Sequence, residues 1–181
     1  MGRNAMRVAM AVAAGLCLSS PAQAQMQSWK DVQVADLEGM KEKFVGLANA
    51  FSEAQWEYTP MEDVRSVKDV LALMIAETHM FPVGWGYQPP TGAAAGFGPE
   101  MQRVNAMSRA EIMGQLGPSF DHMIGIVRGM DEAKRMESSS YFGQQMPVHA
   151  NIATAMADMH EHLGQLIAYA RANRVVPPWS R

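Results

Sequence analysis

Residues 148–172 read VHANIATAMADMHEHLGQLIAYARA, and this stretch decides the fold. Its apolar side chains recur every three or four positions, which is the spacing of one face of an α-helix. The row consists of Ile152, Met156, Met159, Leu163, Leu166 and Ala170. Pro177 and Pro178 end any further helix. The pattern therefore predicts a long amphipathic helix that buries this row against other elements.

Three further segments have the same apolar period, at about residues 29–51, 66–82 and 108–130. The second and third begin at serines with an acidic residue three positions later, as in a helix capping box. These pairs are Ser66 with Asp69 and Ser108 with Glu111. No segment alternates convincingly at the period of two that a half-buried strand requires. We therefore predict an all-α fold, a four-helix bundle.

The connections between these helices differ in length. Residues 83–107 are rich in glycine and proline, and a link of this length between the second and third helices suits a bundle with one crossover or an active-site loop. Residues 137–147 are expected to form a shorter polar loop. Gly117 and Pro118 interrupt the third segment, where we expect a kink or a break into two helices.

The N-terminus has the three parts of a cleavable secretory signal. Arg3 and Arg7 are basic, residues 8–18 are almost wholly apolar, and residues 22–24 (Ala-Gln-Ala) match a cleavage site. An apolar run of roughly 11 residues is shorter than the ~20 that a membrane span needs. We predict a signal peptide at 1–24 and one mature domain at 25–181, in the periplasm or secreted. Cys17, the single cysteine, leaves with the signal, so the mature chain has no thiol nucleophile or thiolate ligand.

The net charge of the chain narrows the classes of partner that we expect it to bind. The formal net charge is −3, and Arg3 and Arg7 leave with the signal. An acidic chain is a poor match for nucleic acid or for an anionic membrane surface, so we expect neither as a partner of the mature protein. The chain has 17 methionines, which either bind soft metals or fill the core. Their helical spacing favours the core.

One flank of the last helix carries polar side chains beside the apolar row. Successive residues turn by about 100°, which brings Asp158, His162, Gln165 and Tyr169 to the same side. His160 then points to the opposite side. Asp158 and His162 have the i, i+4 spacing with which one helix offers two ligands to a metal. The alternative is a row of hydrogen bonds between helices, with Asp158 orienting His162.

The chain resembles the DinB-like superfamily. The residues that carry the resemblance are 159–171 with the tail 176–179, Val64-Arg65-Ser66-Val67 before the second helix, and Ser119-Phe120-Asp121-His122 in the third. The resemblance implies a four-helix bundle with a pocket between the helices, and many members are dimers. Many carry a divalent-metal triad of three histidines. Some are thiol transferases or metal-dependent hydrolases, and most have no assigned reaction.

The triad is incomplete when it is carried over to this chain. His162 matches the second histidine of the last helix, but Asp158 stands where the family has the first. Leu73 falls at the position of the histidine in the second helix and cannot bind a metal. Glu77, one turn further along, could complete a set of Glu77, Asp158 and His162. Such a set suits zinc, manganese, iron or nickel, and because two imidazoles are replaced we expect weak binding or none.

Two classes of function remain open. One is an exported bundle that binds a small ligand, or a divalent metal weakly, in an inter-helical pocket. The other is a metal-dependent enzyme, a hydrolase or, less in keeping with export, a thiol transferase. A homodimer is a further possibility, with methionine-rich helix faces at the interface. His79, His122 and His149 are expected to be ordinary surface or hydrogen-bonded histidines, and no other catalytic motif is present.

Overall fold

The structure, a computed structural model, describes residues 27–180. Four long helices form a bundle, and shorter elements lie in the connections between them. The helices are α1 (Trp29–Ala50), α2 (Val67–Gly84), α3 (Phe97–Asn105), α4 (Arg109–Gly129), α5 (Glu132–Met136) and α6 (Val148–Ala172). A hairpin of β1 (Ser138–Tyr141) and β2 (Gln144–Pro147) precedes α6, and 3₁₀ turns lie at Ala54–Glu57 and Pro178–Ser180. The prediction of a mostly helical four-helix bundle is confirmed.

The four long helices are α1, α2, α4 and α6, and α2 lies at the centre of the bundle. It packs against α4 and α6, while α1 packs against the same two helices from the other side. Every residue from Val70 to Pro82 is buried, so α2 has no solvent-facing stripe within this range. Polar side chains in this range must therefore find partners inside the protein.

The helix starts follow from local sequence. The side chains of Ser66 and Ser108 accept hydrogen bonds from the backbone N–H groups of Asp69 and Glu111, and both capping boxes are complete. Ser28 caps α1 in the same way. The apolar row of α6 is buried, as are eight methionines after residue 24, which confirms their role in the core. These are Met40, Met74, Met80, Met107, Met123, Met130, Met156 and Met159.

A kink or a break was expected at Gly117-Pro118, and the break is wrong, because α4 is one continuous helix. Pro118 and Gly114, whose carbonyl loses the missing hydrogen bond, both lie on the exposed side of α4, where water can solvate that carbonyl. On the buried side, Leu116 and Phe120 hold the helix in the core, and Phe120 packs 5.6 Å from the ring of Phe44. Packing therefore outweighs the local effect of one proline.

The expected polar loop at 137–147 is instead the β1–β2 hairpin, in which Ser138 pairs with Pro147 and Tyr141 with Gln144. Its turn consists of Phe142 and Gly143, both at positive φ. Asn151 of α6 donates a hydrogen bond to the hydroxyl of Ser139 at 3.0 Å. This side-chain anchoring is not visible in a local pattern of polar residues, and it brings Tyr141 to the end of the bundle core.

The long connection between α2 and α4 is confirmed, and it contains α3, which packs against α2. Within residues 27–180 no helix is both long enough and apolar enough to cross a membrane. The predicted signal peptide at 1–24, with Cys17, lies outside the described residues. The periplasmic or secreted location and the homodimer remain predictions.

Candidate metal site between α2 and α6

The polar flank of α6 forms one row of contacts. His162 Nδ1 lies 3.4 Å from Gln165 Oε1, and Gln165 Nε2 donates to the hydroxyl of Tyr169 at 2.7 Å. Tyr169 in turn donates to the backbone carbonyl of Arg65 at 3.0 Å, which ties α6 to the segment before α2. His160 lies on the opposite side, with Nε2 at 2.9 Å from Asp36 Oδ2 at the surface. The rotation predicted for α6 is therefore correct.

Glu77 is the α2 side chain that meets this row. It is only 3% exposed, and its Oε1 lies 3.4 Å from His162 Nε2. Ligand atoms of Glu77, Asp158 and His162 all lie within 4.8 Å of one another. Leu73, the position inferred for the family's histidine, is buried in the apolar core. The three residues singled out from the sequence are thus brought together, although their role as metal ligands remains a prediction.

The electrostatics of the group follow from its burial. Desolvation raises the pKa of Glu77 to about 7, although the hydrogen bond and charge of His162 act in the opposite direction. The hydrogen bond to Glu77 raises the pKa of His162, against the effect of its own burial. The second oxygen of Glu77, Oε2, is buried and has no hydrogen-bond partner among the described residues. A buried carboxylate oxygen without a partner is costly, and a proton or a cation would relieve that cost.

Tyr141 joins the site from the hairpin, a placement that the sequence did not reveal. Burial and the negative charges of Asp158 and Glu77 raise its pKa to about 12, so the phenol keeps its proton at neutral pH. Its ring also lines an apolar cavity of about 160 Å³, with Phe81 and Phe142. The only signal in the sequence was the aromatic pair Tyr141-Phe142 within an otherwise polar segment.

The remaining histidines stand apart from this group. His149 Nδ1 lies 3.3 Å from the backbone oxygen of Arg135, and its ring makes an edge contact with Trp29. His79 is bound to Glu100, and His122 lies edge-on to His79. Their sequence interpretation as ordinary or hydrogen-bonded histidines holds for His149 and His79. His122 has no hydrogen-bond partner for Nε2 among residues 27–180.

The arrangement can hold one divalent cation. It offers one imidazole nitrogen and carboxylate oxygens from two residues, a mixed set that accepts zinc, manganese and iron. Three protein residues leave further coordination positions for water or a ligand, as in catalytic rather than structural metal sites. Two carboxylates and a neutral imidazole would balance the charge of a divalent ion.

Two solved structures share the fold. YjoA, a DinB-like protein from Bacillus subtilis, is 16% identical and has a TM-score of 0.63, and the match covers 83% of this chain and 97% of that one. YfiT from Bacillus subtilis, described as a probable metal-dependent hydrolase with an unusual four-helix bundle topology, is 12% identical at a TM-score of 0.63. That match covers 86% of this chain and 94% of YfiT.

No protein-family model matches the chain, and a search of curated proteins found no similar sequence. At 16% and 12% identity, the two structural matches show the fold alone. The fold is a DinB-like four-helix bundle.

Proposed function

We propose that this protein binds a divalent metal ion between α2 and α6, through Glu77, Asp158 and His162. The observation that carries the proposal is the convergence of these three side chains within 4.8 Å, from two helices 81 positions apart at their nearest ligands. A cluster of acidic residues alone would be weak support for a metal site. This group also contains a histidine, and the buried Oε2 of Glu77 lacks a hydrogen-bond partner among the described residues.

The site is expected to bind metal weakly compared with a site of three imidazoles. Burial favours the protonated form of Glu77, and a metal must displace that proton before the carboxylate can coordinate. The oxygen-rich set is also harder and less selective for zinc than three histidines, so manganese and iron compete better. Zinc, manganese, iron and nickel are all chemically acceptable. The chain is therefore best tested with zinc and manganese together.

The apolar cavity lined by Tyr141 supports the proposal that a small ligand binds next to the metal. Phe142 is 76% exposed and sits at a φ of 45°, an uncommon conformation for a bulky residue. The cavity and the proposed metal site share Tyr141, which lines the cavity and whose pKa is raised by Asp158 and Glu77. A ligand with an apolar group in the cavity would place its polar end near the metal.

A second candidate function is metal-dependent hydrolysis. It is favoured by the open coordination positions and by the description of YfiT as a probable metal-dependent hydrolase. A bound metal would supply a water of lowered pKa and a Lewis acid. Tyr141 keeps its proton and could donate a hydrogen bond to a polarised ligand oxygen. Thiol transfer is the less attractive version, because we also propose export, and low-molecular-weight thiol cofactors are kept in the cytoplasm.

The test is a metal titration of protein purified without a histidine tag, preceded by elemental analysis. Zinc and manganese are titrated into the wild type and into Glu77→Gln, Asp158→Asn and His162→Ala. Each substitution removes one ligand, so affinity for both metals should fall at least about 10-fold. His160→Ala is the matched control, because His160 lies on the same helix but faces Asp36.

The Glu77→Gln variant is the most informative, because it keeps the shape of the side chain. Because burial already disfavours the charged form of Glu77, the neutral amide should leave the metal-free protein about as stable as the wild type. Metal should then raise the melting temperature of the wild type but not that of the variant. Equal titrations of wild type and all three variants would disprove the proposed site.

A further inference from the structure

A second cavity, with polar side chains in its lining, lies on the side of α2 that is opposite the proposed metal site. His79 follows Glu77 by two residues, which turns its side chain by about 200° around the helix, away from the metal site. The cavity measures about 250 Å³ and lies between α2, α4 and the segment 90–93. Its polar lining consists of His79, Thr91, Arg103, Gln115, Ser119 and His122. This cavity is independent of the proposed metal site.

Glu100 of α3 organises the wall of this cavity. It is 0% exposed and accepts hydrogen bonds from His79 Nδ1 at 2.8 Å and from the backbone N–H of Ala94 at 2.7 Å. It also accepts two hydrogen bonds from Arg103, from Nε at 2.8 Å and from Nη2. These donors use the whole acceptor capacity of the carboxylate. Glu100 therefore positions its neighbours and is not itself free to bind a ligand.

The side chains of Arg103, His79 and His122 line the cavity, and each keeps a polar group that no hydrogen bond among the described residues uses. Glu100 occupies the Nε side of the Arg103 guanidinium, so the end formed by Nη1 and Nη2 retains free donors. Among the described residues, this end of the guanidinium makes one hydrogen bond, which Nη1 donates to Gln115 Oε1 at 3.3 Å. The Nδ1–H of His79 donates a hydrogen bond to Glu100, so Nε2, on the far side of the neutral ring, is an acceptor. His122 Nε2 is buried and unpartnered within residues 27–180.

The charges select the kind of ligand. A cation is disfavoured because the guanidinium of Arg103 lines the same cavity. A dianion such as phosphate is disfavoured because Arg103 is already paired with Glu100 on its other edge. A single carboxylate fits the free end of the guanidinium in the bidentate geometry that arginine favours. A hydroxyl on the same ligand would, in addition, match the acceptor nitrogen of His79.

We propose that this cavity binds a small α-hydroxycarboxylate, with its carboxylate on the outer edge of Arg103 and its hydroxyl donating to His79 Nε2. The size agrees with this class. One water takes about 30 Å³ of liquid volume, so 250 Å³ holds a molecule of only a few carbon atoms. The alternative is that the network of Glu100 only anchors α3 to α2. A purely structural network would not discriminate between ligands.

The test compares three probes that differ in one group each: glycolate, acetate, which lacks the hydroxyl, and glycolamide, which lacks the negative charge. Binding is followed by NMR on full-length protein, through the ring signals of the five histidines. Glycolate should shift the signals of His79 and His122 saturably, with a Kd of about 1 mM. Acetate and glycolamide should each bind at least about 10-fold more weakly, because one buried group is left unpaired.

Two variants separate binding from folding. His79→Asn keeps a side-chain N–H for Glu100 but removes the acceptor nitrogen, so glycolate and acetate should then bind equally weakly. Ala93→Phe fills the cavity without touching the polar network and should abolish the shifts. His160→Asn is the control, because His160 lies at the surface of α6, and it should bind glycolate as the wild type does.

The proposal is overturned if glycolate causes no saturable shift of His79 in the wild type. It is equally overturned if acetate or glycolamide binds as tightly as glycolate, since the hydroxyl or the charge would then be irrelevant. Unchanged glycolate binding in a folded Ala93→Phe variant would place the ligand elsewhere. None of these measurements involves metal. Their outcome therefore does not depend on whether Glu77, Asp158 and His162 bind a metal ion.

Discussion

Glu77 and Glu100 are both buried, yet the pKa of Glu77 is about 7 and that of Glu100 is about 2. Burial raises the pKa of both carboxyl groups. In Glu100 this effect is outweighed by hydrogen bonds from Arg103, the backbone of Ala94 and His79. In Glu77 the contact with His162 is longer, at 3.4 Å, and Oε2 lacks a partner among the described residues. At the residue scale, the number of donors decides whether a buried acid is structural or available to a ligand.

Acid stability tests this account of Glu100. Its folded-state pKa lies below the unfolded value of 4.5, so its stabilising effect is complete above pH 4.5 and is lost as the pH falls towards about 2. Glu100→Gln should be less stable than the wild type at pH 6. The difference should narrow by about 3 kcal/mol on going to pH 2, since each pKa unit corresponds to about 1.4 kcal/mol.

The measurement is urea unfolding, followed by circular dichroism, at several pH values between 2 and 6. Glu42→Gln is the control, because Glu42 is exposed on α1, and it should follow the wild-type profile. A constant difference between wild type and Glu100→Gln across this range would contradict the low pKa of Glu100.

At the scale of the element, α2 differs from the other long helices because it is buried on all sides between Val70 and Pro82. Its polar residues therefore define sites rather than a solvated face. Glu77 meets α6, and His79, two residues later, meets α3 and a cavity beside α4. One central helix thus contributes to both proposed sites, on opposite faces.

α6 is the element whose core contribution is easiest to measure. Leu163 and Leu166 are buried mid-row, at 4% and 0% exposure, whereas His160 is at the surface. Leu163→Ala or Leu166→Ala should cost about 2–5 kcal/mol of unfolding free energy, from lost burial and the cavity left behind. His160→Ala should cost less than about 1 kcal/mol. Denaturant unfolding of the three variants gives these values, and the reverse order would mean that α6 is rotated from its position here.

At the scale of the molecule, the bundle begins close to the predicted cleavage site. Ser28 caps α1, four residues after Ala24, so cleavage before Gln25 leaves the cap intact. We expect material recovered from the periplasm or the medium to start at Gln25 on N-terminal sequencing. A protein of residues 25–181 should have a strongly helical circular dichroism spectrum and melt cooperatively. Secreted material that retains Met1 would contradict the cleavage, and a non-cooperative melt would contradict the domain boundary.

The sequence alone determined the four long helices and the face that α1, α4 and α6 each bury. The bounds of α6 and the row of Asp158, His162, Gln165 and Tyr169 follow from a clear 3.6-residue period, which is a local property. Local chemistry likewise predicted the caps at Ser66 and Ser108. It failed at Pro118 and in the hairpin, where contacts with distant residues outweigh local preference.

Only the tertiary structure decided which α2 residue lies beside His162. Leu73 and Glu77 lie one turn apart on the same face of α2, so the helical period does not show which of them lies level with His162. Packing against α4 and α6 sets the position of α2 along its axis and places Glu77 beside His162. The placement of Tyr141 and the pairing of Glu100 with His79 also depend on contacts between segments far apart in the chain. Such contacts arise from the assembly of the whole bundle and have no local signature in the sequence.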